Sequence, residues 1–154
     1  MNAKDTLKAW LDENNIDEVE ALVPDMAGVA RGKFMPASTF GGQGGMKIPS
    51  SLFIQTVTGD YADEDKIIGA LDRDLNAVPD LDTLRMVPWA REPSACVIHD
   101  VYFRDGSPAH YAPRQILRHV IGLYEKRGLR PIVAPEVEFY LVQKNTDPDD
   151  PLEP

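Results

Sequence analysis

One stretch near the C-terminus organises this sequence, Ile132-Val133-Ala134-Pro135-Glu136-Val137-Glu138-Phe139-Tyr140-Leu141-Val142. β-Branched and aromatic residues dominate it, and polar and apolar positions alternate in its second half, which predicts a β-strand. Side chains two residues apart share one face of a strand. The sequence therefore predicts that Glu136 and Glu138 lie side by side, with Val137 and Phe139 on the opposite face.

The pair of glutamates allows two interpretations. Neighbouring carboxylates repel each other, and on a core-facing strand they destabilise the fold unless something neutralises them. A divalent cation that prefers oxygen ligands is one such partner. Two solvated carboxylates on the wet face of a sheet are the more common case for this pattern alone. The rest of the sequence has to decide between a metal site and a solvated pair.

Composition excludes several function classes. The chain has 154 residues, of which 43% are hydrophobic, and its formal net charge is −9. A surplus of negative charge argues against nucleic acid and anionic membranes as partners. The single cysteine, Cys96, cannot form an internal disulfide, and the first residues hold no apolar signal-peptide core. We therefore expect a reduced, cytoplasmic, globular protein that does not enter a membrane.

The first hundred residues predict an α+β domain. A helix is expected from Asp5 or Thr6 to about residue 14. The other expected elements are a β-hairpin over 18–36, a helical turn over 36–40, a flexible loop over 41–45, and strands over 48–58, 84–87 and 95–102. The stretch 72–80 is expected to be a loop that leads into a short strand, in which Asp72 and Asp80 are interpreted as turn or cap aspartates.

The character of the sequence changes after residue 108. Pro113 suits the first position of a helix, and Gly128 is placed to end it. The strand with the two glutamates follows, and residues 145–154 are rich in proline and acids, which predicts a loop. One helix and one strand cannot form a domain, since the strand needs neighbours on both sides. We therefore expect residues 109–154 to be the beginning of an incomplete second domain.

Taken in order, the motifs resemble the N-terminal part of the glutamine synthetase family. They are VEALVPDMAGVARGKFMP (19–36), IPSSLFIQTVTG (48–59), DRDLNAVPDLDTLRMVPW (72–89), YAPRQIL (111–117) and APEVEFYL (134–141). The resemblance implies a β-grasp-like N-terminal domain over residues 1–108. It also implies that residues 109–154 begin a glutamine synthetase-type catalytic domain.

The resemblance implies a reaction and roles for three residues. Glutamate would be activated by ATP as a γ-glutamyl phosphate, which an amine or ammonia then attacks. Glu136 and Glu138 would each bind one of two Mg²⁺ or Mn²⁺ ions, and hard cations of this kind do take carboxylate ligands. Asp74 would reach from the N-terminal domain into the active site of a neighbouring subunit, which implies a homo-oligomer for the full-length protein.

One departure from the family pattern concerns the amine. The family has an aspartate in an Asp-Gly-Ser-Ser segment that helps bind and deprotonate ammonia, whereas this sequence reads Ile48-Pro49-Ser50-Ser51. With the hairpin motif, this difference resembles the branch that joins glutamate to putrescine and other polyamines. The chain alone is expected to be inactive and to bind metal negligibly. The alternative is a stand-alone β-grasp-type binding module in which both glutamates are idle.

Overall fold

The computed structural model describes residues 3–61, 72–147 and 149–154. The chain forms a sheet with helices packed on it, which confirms the α+β prediction. In order, its elements are α1 (Ala3–Glu13), β1 (Glu18–Pro24), β2 (Ala30–Pro36), α2 (Ala37–Gln43), β3 (Met46–Pro49), a 3-10 helix (Ser50–Ile54), β4 (Asp74–Pro79), a second 3-10 helix (Leu81–Thr83), β5 (Arg85–Met86), β6 (Ser94–Tyr102) and α3 (Pro113–Glu125).

Strand β6 lies at the centre of the sheet. The strand order is β2-β1-β6-β4-β3, and β5 also pairs with β6. The first half of β6 runs parallel to β1, whereas its second half runs antiparallel to β4. This pairing confirms the predicted strand over 95–102. A strand with neighbours on both sides is buried, and the apolar run in this stretch suits that position.

The predicted hairpin over 18–36 is also confirmed, with β1 and β2 antiparallel along their whole length. Its turn is organised by the buried carboxylate of Asp25. The backbone N–H groups of Ala27 and Val29 donate to Asp25 Oδ1 at 2.9 and 2.8 Å. Gly28 takes a φ of 78°, a left-handed conformation that glycine adopts without strain.

The core lies between one face of the sheet and the first two helices. Val19, Ala21 and Val23 of β1 alternate inward, as the period of two in a strand dictates. Helix α1 contributes Leu7 and Leu11, one turn apart on the same helix face. Burial of each of these valine and leucine side chains contributes roughly 1.5–3 kcal/mol to the stability of the fold.

Helix α3 begins at the predicted Pro113, and Gly128 follows it with a φ of 71°. The helix turns its predicted apolar face outward, where Leu117, Val120 and Leu123 are exposed. No helix among the described residues has the length and apolar character that a membrane crossing requires.

Two predictions in the first half of the chain are wrong. The expected strand over 48–58 ends at Pro49 and continues as a 3-10 helix. The backbone N–H and hydroxyl of Ser51 both donate to the Asp72 carboxylate, at 2.9 and 2.6 Å, so this N–H is not available to a strand.

The expected loop over 41–45 is also wrong, because α2 extends through Gln43. Gly41 lies against α1, where a Cβ would stand 3.5 Å from the Leu11 side chain. Gly44 then ends the helix in the left-handed conformation, and its N–H donates to the Phe40 carbonyl at 2.9 Å. These glycines therefore belong to a helix and to its C-terminal end.

The predicted strand over 132–142 is not formed. This segment has no regular secondary structure, and its apolar side chains stand in solvent, with Tyr140 95% and Leu141 84% exposed. A strand exists only where another strand satisfies its backbone N–H and C=O groups, and no described strand lies beside this segment. The segment thus has the composition of a buried strand, but in this structure it is exposed and unpaired.

Candidate functional site

The two candidate metal ligands, Glu136 and Glu138, lie on the exposed segment after α3. The intervening Val137 is 84% exposed, so the predicted alternation between a wet and a buried face does not occur. Beyond this segment the chain turns back, and the N–H of Gln143 donates to the Glu153 carbonyl at 2.8 Å. Nothing in the described structure holds the two carboxylates in a fixed geometry.

The carboxylates have the right chemistry for Mg²⁺ or Mn²⁺, but the donor set is too small. A hard cation of this type takes about six oxygen ligands, with water completing the protein's own. Across residues 3–61, 72–147 and 149–154, no group of three or more His, Cys, Asp or Glu residues could hold a metal ion. The residues present therefore do not constitute a metal site on their own.

Asp74 lies at the beginning of β4, opposite Pro49 of the edge strand β3. Its side chain is exposed. Within the described residues, no hydrogen bond or ion pair connects Asp74 with Glu136 or Glu138. The described contacts of the single chain thus do not join Asp74 to the two glutamates.

Asp72 is better connected than Asp74. Its carboxylate accepts hydrogen bonds from the Ser50 hydroxyl at 3.0 Å and from the N–H and hydroxyl of Ser51. Burial alone would raise the pKa of Asp72, but these serine donors hold it below its ordinary value. The expected local turn or cap role is therefore wrong for Asp72, whose carboxylate instead binds the Ile48-Pro49-Ser50-Ser51 segment more than twenty residues earlier in the chain.

A cluster of four charged side chains, called the Arg–Asp cluster below, joins α3 to the sheet. Its members are Asp80, Asp100, Arg114 and Arg118. Arg114 Nε donates to Asp100 at 2.9 Å, and its Nη2 pairs with Asp80. Arg118 Nη2 lies 2.9 Å from Asp80 and 2.7 Å from Asp100. Burial alone would raise the pKa of Asp100, but hydrogen bonds from Arg118 and Arg114 hold it below its ordinary value.

The Arg–Asp cluster was not predicted from the sequence. Asp80 is the cap aspartate that was predicted, because its carboxylate accepts from the Asp82 N–H. Its second oxygen, however, binds the two arginines. The available signal was the spacing of Arg114 and Arg118, which are four residues apart and so share one face of a helix.

His99 is one of the buried titratable residues among those that the structure describes. Its side chain is fully buried on β6, its Nδ1 lies 3.2 Å from the Leu22 carbonyl oxygen, and its Nε2 has no protein partner among the described residues. The Phe40 ring meets the imidazole edge-on at 5.7 Å between centroids. Burial lowers the pKa of His99, so the ring is neutral in the fold. These contacts are those of a histidine packed in the core.

Comparison with known proteins identifies relatives over nearly the whole chain. The family model for the glutamine synthetase catalytic domain matches residues 110–153, a range that includes Glu136 and Glu138. The glutamate–isopropylamine ligase of a Pseudomonas species is 34% identical over 92% of this chain and 32% of the relative. The gamma-glutamylputrescine synthetase of Escherichia coli K12 is 32% identical over 91% of this chain and 30% of the relative.

Solved structures of related fold superimpose on most of this chain. A structure described as a novel glutamine synthase homolog superimposes with a TM-score of 0.63 at 20% identity, over 73% of this chain and 27% of that one. A GmaS/ADP complex superimposes with a TM-score of 0.61 at 23% identity, over 79% of this chain and 26% of that one. The chain spans about a third of the length of the curated relatives it matches.

Proposed function

Since the chain belongs to the glutamine synthetase family, we propose that it is the N-terminal part of an ATP-dependent ligase that joins glutamate to an amine. The observation that supports this most strongly is the similarity to two amine ligases over more than nine-tenths of the chain. We further propose a β-grasp-like domain over residues 1–108, the start of the catalytic domain over 109–154, and a cytoplasmic location.

The proposed reaction has two steps. A γ-carboxylate oxygen of glutamate attacks the terminal phosphorus of ATP, which releases ADP and forms γ-glutamyl phosphate. The amine nitrogen then attacks the γ-carbonyl carbon, and phosphate leaves with the oxygen that came from glutamate. The nucleophilic amine must lose a proton, which a nearby base has to accept.

Glu136 and Glu138 are proposed as metal ligands once the rest of a catalytic domain lies beside their segment. Two observations support this: the matched family segment contains both residues, and their strand-like sequence is unpaired in the chain. Asp74 is proposed to act in a neighbouring subunit of a homo-oligomer, which suits its exposed place on β4. The chain by itself is expected to be inactive and to bind Mn²⁺ only weakly.

The proposed substrate is a larger amine such as putrescine rather than ammonia. Ile48, at the segment where the family pattern has an aspartate, is buried in the core and provides no carboxylate. Among the relatives, one is named for isopropylamine and another for putrescine. An amine with its own carbon chain can be held by apolar contacts as well as by charge.

The test is an ADP-release assay on the protein encoded by the whole reading frame, with glutamate and a series of amines. We expect Glu136→Ala and Glu138→Ala each to abolish turnover, because each removes a ligand of one metal ion. Glu153→Gln, which removes a carboxylate from the same exposed tail, is the matched control and should keep full activity. Unchanged turnover in the Glu138 variant would refute the assignment, and a protein that only binds ligands would release no ADP.

A further inference from the structure

Helix α3 is attached to the sheet by the side that amphipathic helices normally turn to solvent. Its polar residues Arg114, Gln115 and Arg118 face the sheet, and the Gln115 side-chain amide donates to the Val101 carbonyl at 3.1 Å. Its apolar residues Leu117 and Val120 point away and are exposed. Hydrophobic burial therefore contributes little to the position of this helix on the sheet, and polar contacts have to determine it.

We propose that the Arg–Asp cluster is a latch that sets the position of α3 on the sheet. The two carboxylates come from different parts of the chain, since Asp100 lies in β6 and Asp80 lies between β4 and the second 3-10 helix. Each arginine bridges both carboxylates, and the arginines lie one helical turn apart. Four crossed contacts restrain both sliding and rotation of the helix, which a single ion pair cannot do.

The surroundings of the Arg–Asp cluster favour such a role. The side chains of Asp80 and Asp100 are only 17% and 10% exposed, so solvent screens their charges less than at an open surface. Asp80 is itself fixed, because its other oxygen accepts from the Asp82 N–H at the start of the second 3-10 helix. At least the Asp80 carboxylate is thus held in place for the two arginines.

The latch has a consequence that rests on the proposed function. The segment with Glu136 and Glu138 leaves the domain through α3, whereas Asp74 lies on β4, the strand that Asp80 directly follows. In a ligase of the proposed kind, the latch would fix the direction in which the catalytic domain leaves the sheet that carries Asp74. Asp80, Asp100, Arg114 and Arg118 would then be positioning residues.

The test measures amide hydrogen exchange in this chain and does not depend on ligase activity. Asp80→Asn keeps the oxygen that caps the 3-10 helix but removes the charge, and Arg114→Lys keeps the charge but cannot bridge two carboxylates. Asp82→Asn removes the same charge two residues away, from an exposed side chain, and is the matched control. We expect both latch variants to accelerate exchange across residues 117–125 about tenfold or more, since a detached helix of this length is marginal in water.

The amides of β1 and β6 report whether a variant still folds. If the sheet amides of a latch variant stay protected while its α3 amides exchange fast, the result supports the latch. If its α3 amides exchange only as fast as those of the Asp82 variant, the result overturns it. If a variant loses sheet protection as well, Arg118→Gln decides the question, because this side chain is 51% exposed and its replacement disturbs the core least. It removes the contacts of Arg118 with Asp80 and Asp100 and should accelerate exchange in α3 but not in β1. Unchanged exchange in α3 would overturn the proposal, while the proposed ligase function would still stand.

Discussion

Replacing Asp25 by Asn tests whether the turn between β1 and β2 depends on a buried charge. The Asp25 side chain is fully buried, and Arg31 Nε donates to its Oδ2 at 2.8 Å. An asparagine keeps the oxygen that binds the Ala27 and Val29 N–H groups. It loses the charge, and it turns an N–H₂ group toward a guanidinium that can only donate. The substitution therefore removes one interaction and leaves the others in place.

The cost follows from the burial of the two partners. Removing one member of a buried ion pair costs about 3–5 kcal/mol. The Arg31 side chain is 25% exposed and can regain water, so we expect the free energy of unfolding to fall by about 2 kcal/mol. For a protein of this size that lowers Tm by about 4–8 °C.

The assay is urea unfolding followed by circular dichroism, with Asp12→Asn as the control. Asp12 pairs with Lys8 at 2.5 Å, but both side chains are 65% exposed. That variant should lose less than about 0.5 kcal/mol. An Asp25 variant no less stable than the Asp12 variant would refute the account of the turn.

The pH dependence gives a second check on the same residue. Burial alone would raise the pKa of Asp25, but hydrogen bonds from Arg31, Val29 and Ala27 hold it below its ordinary 3.8. A carboxyl with a depressed pKa stabilises the fold above its unfolded pKa and loses this contribution as the pH falls through its folded pKa. The difference between the parent chain and Asp25→Asn should therefore be largest near neutral pH and shrink at strongly acidic pH.

Two further substitutions test the core and the sheet by the same unfolding measurement. Burial lowers the pKa of His99 below 6.5, so on acidification the unfolded chain takes up a proton at this residue at a higher pH than the folded chain does. The free energy of unfolding should therefore fall below pH 6.5, by up to about 1.4 kcal/mol per pH unit. His99→Gln should lose this pH dependence, and an unchanged dependence would contradict a neutral buried imidazole. Gly32→Ala places a Cβ 2.0 Å from the Ala21 carbonyl oxygen and should cost about 1–3 kcal/mol. Gly42→Ala, with no atom within 4 Å, should instead stabilise α2 by about 0.5–1 kcal/mol.

Local patterns predicted those elements whose neighbours lie close in the sequence or whose apolar periodicity is strong. The hairpin over 18–36 and the helix from Pro113 are of this kind. The 48–58 prediction failed because an apolar run suits a helix as well as a strand, and a carboxylate more than twenty residues away decided between them. That hydrogen bond has no signature in the local sequence.

The candidate site shows a different limit of sequence reasoning. The pattern around Glu136 and Glu138 describes a strand, but a strand is a property of at least two segments, and the described chain provides no second one. The Arg–Asp cluster was missed for the opposite reason. Its four residues come from three separate elements, and each one alone has the appearance of a surface charge.

The most direct test of the proposed function follows the oxygen atoms of glutamate. The protein encoded by the whole reading frame is supplied with ATP, putrescine and glutamate that carries a heavy oxygen isotope in its γ-carboxylate. If the reaction passes through γ-glutamyl phosphate, mass spectrometry will find one heavy oxygen in each phosphate released, together with the γ-glutamyl amide. Release of unlabelled phosphate, or formation of no amide with putrescine or any other amine, would contradict the account.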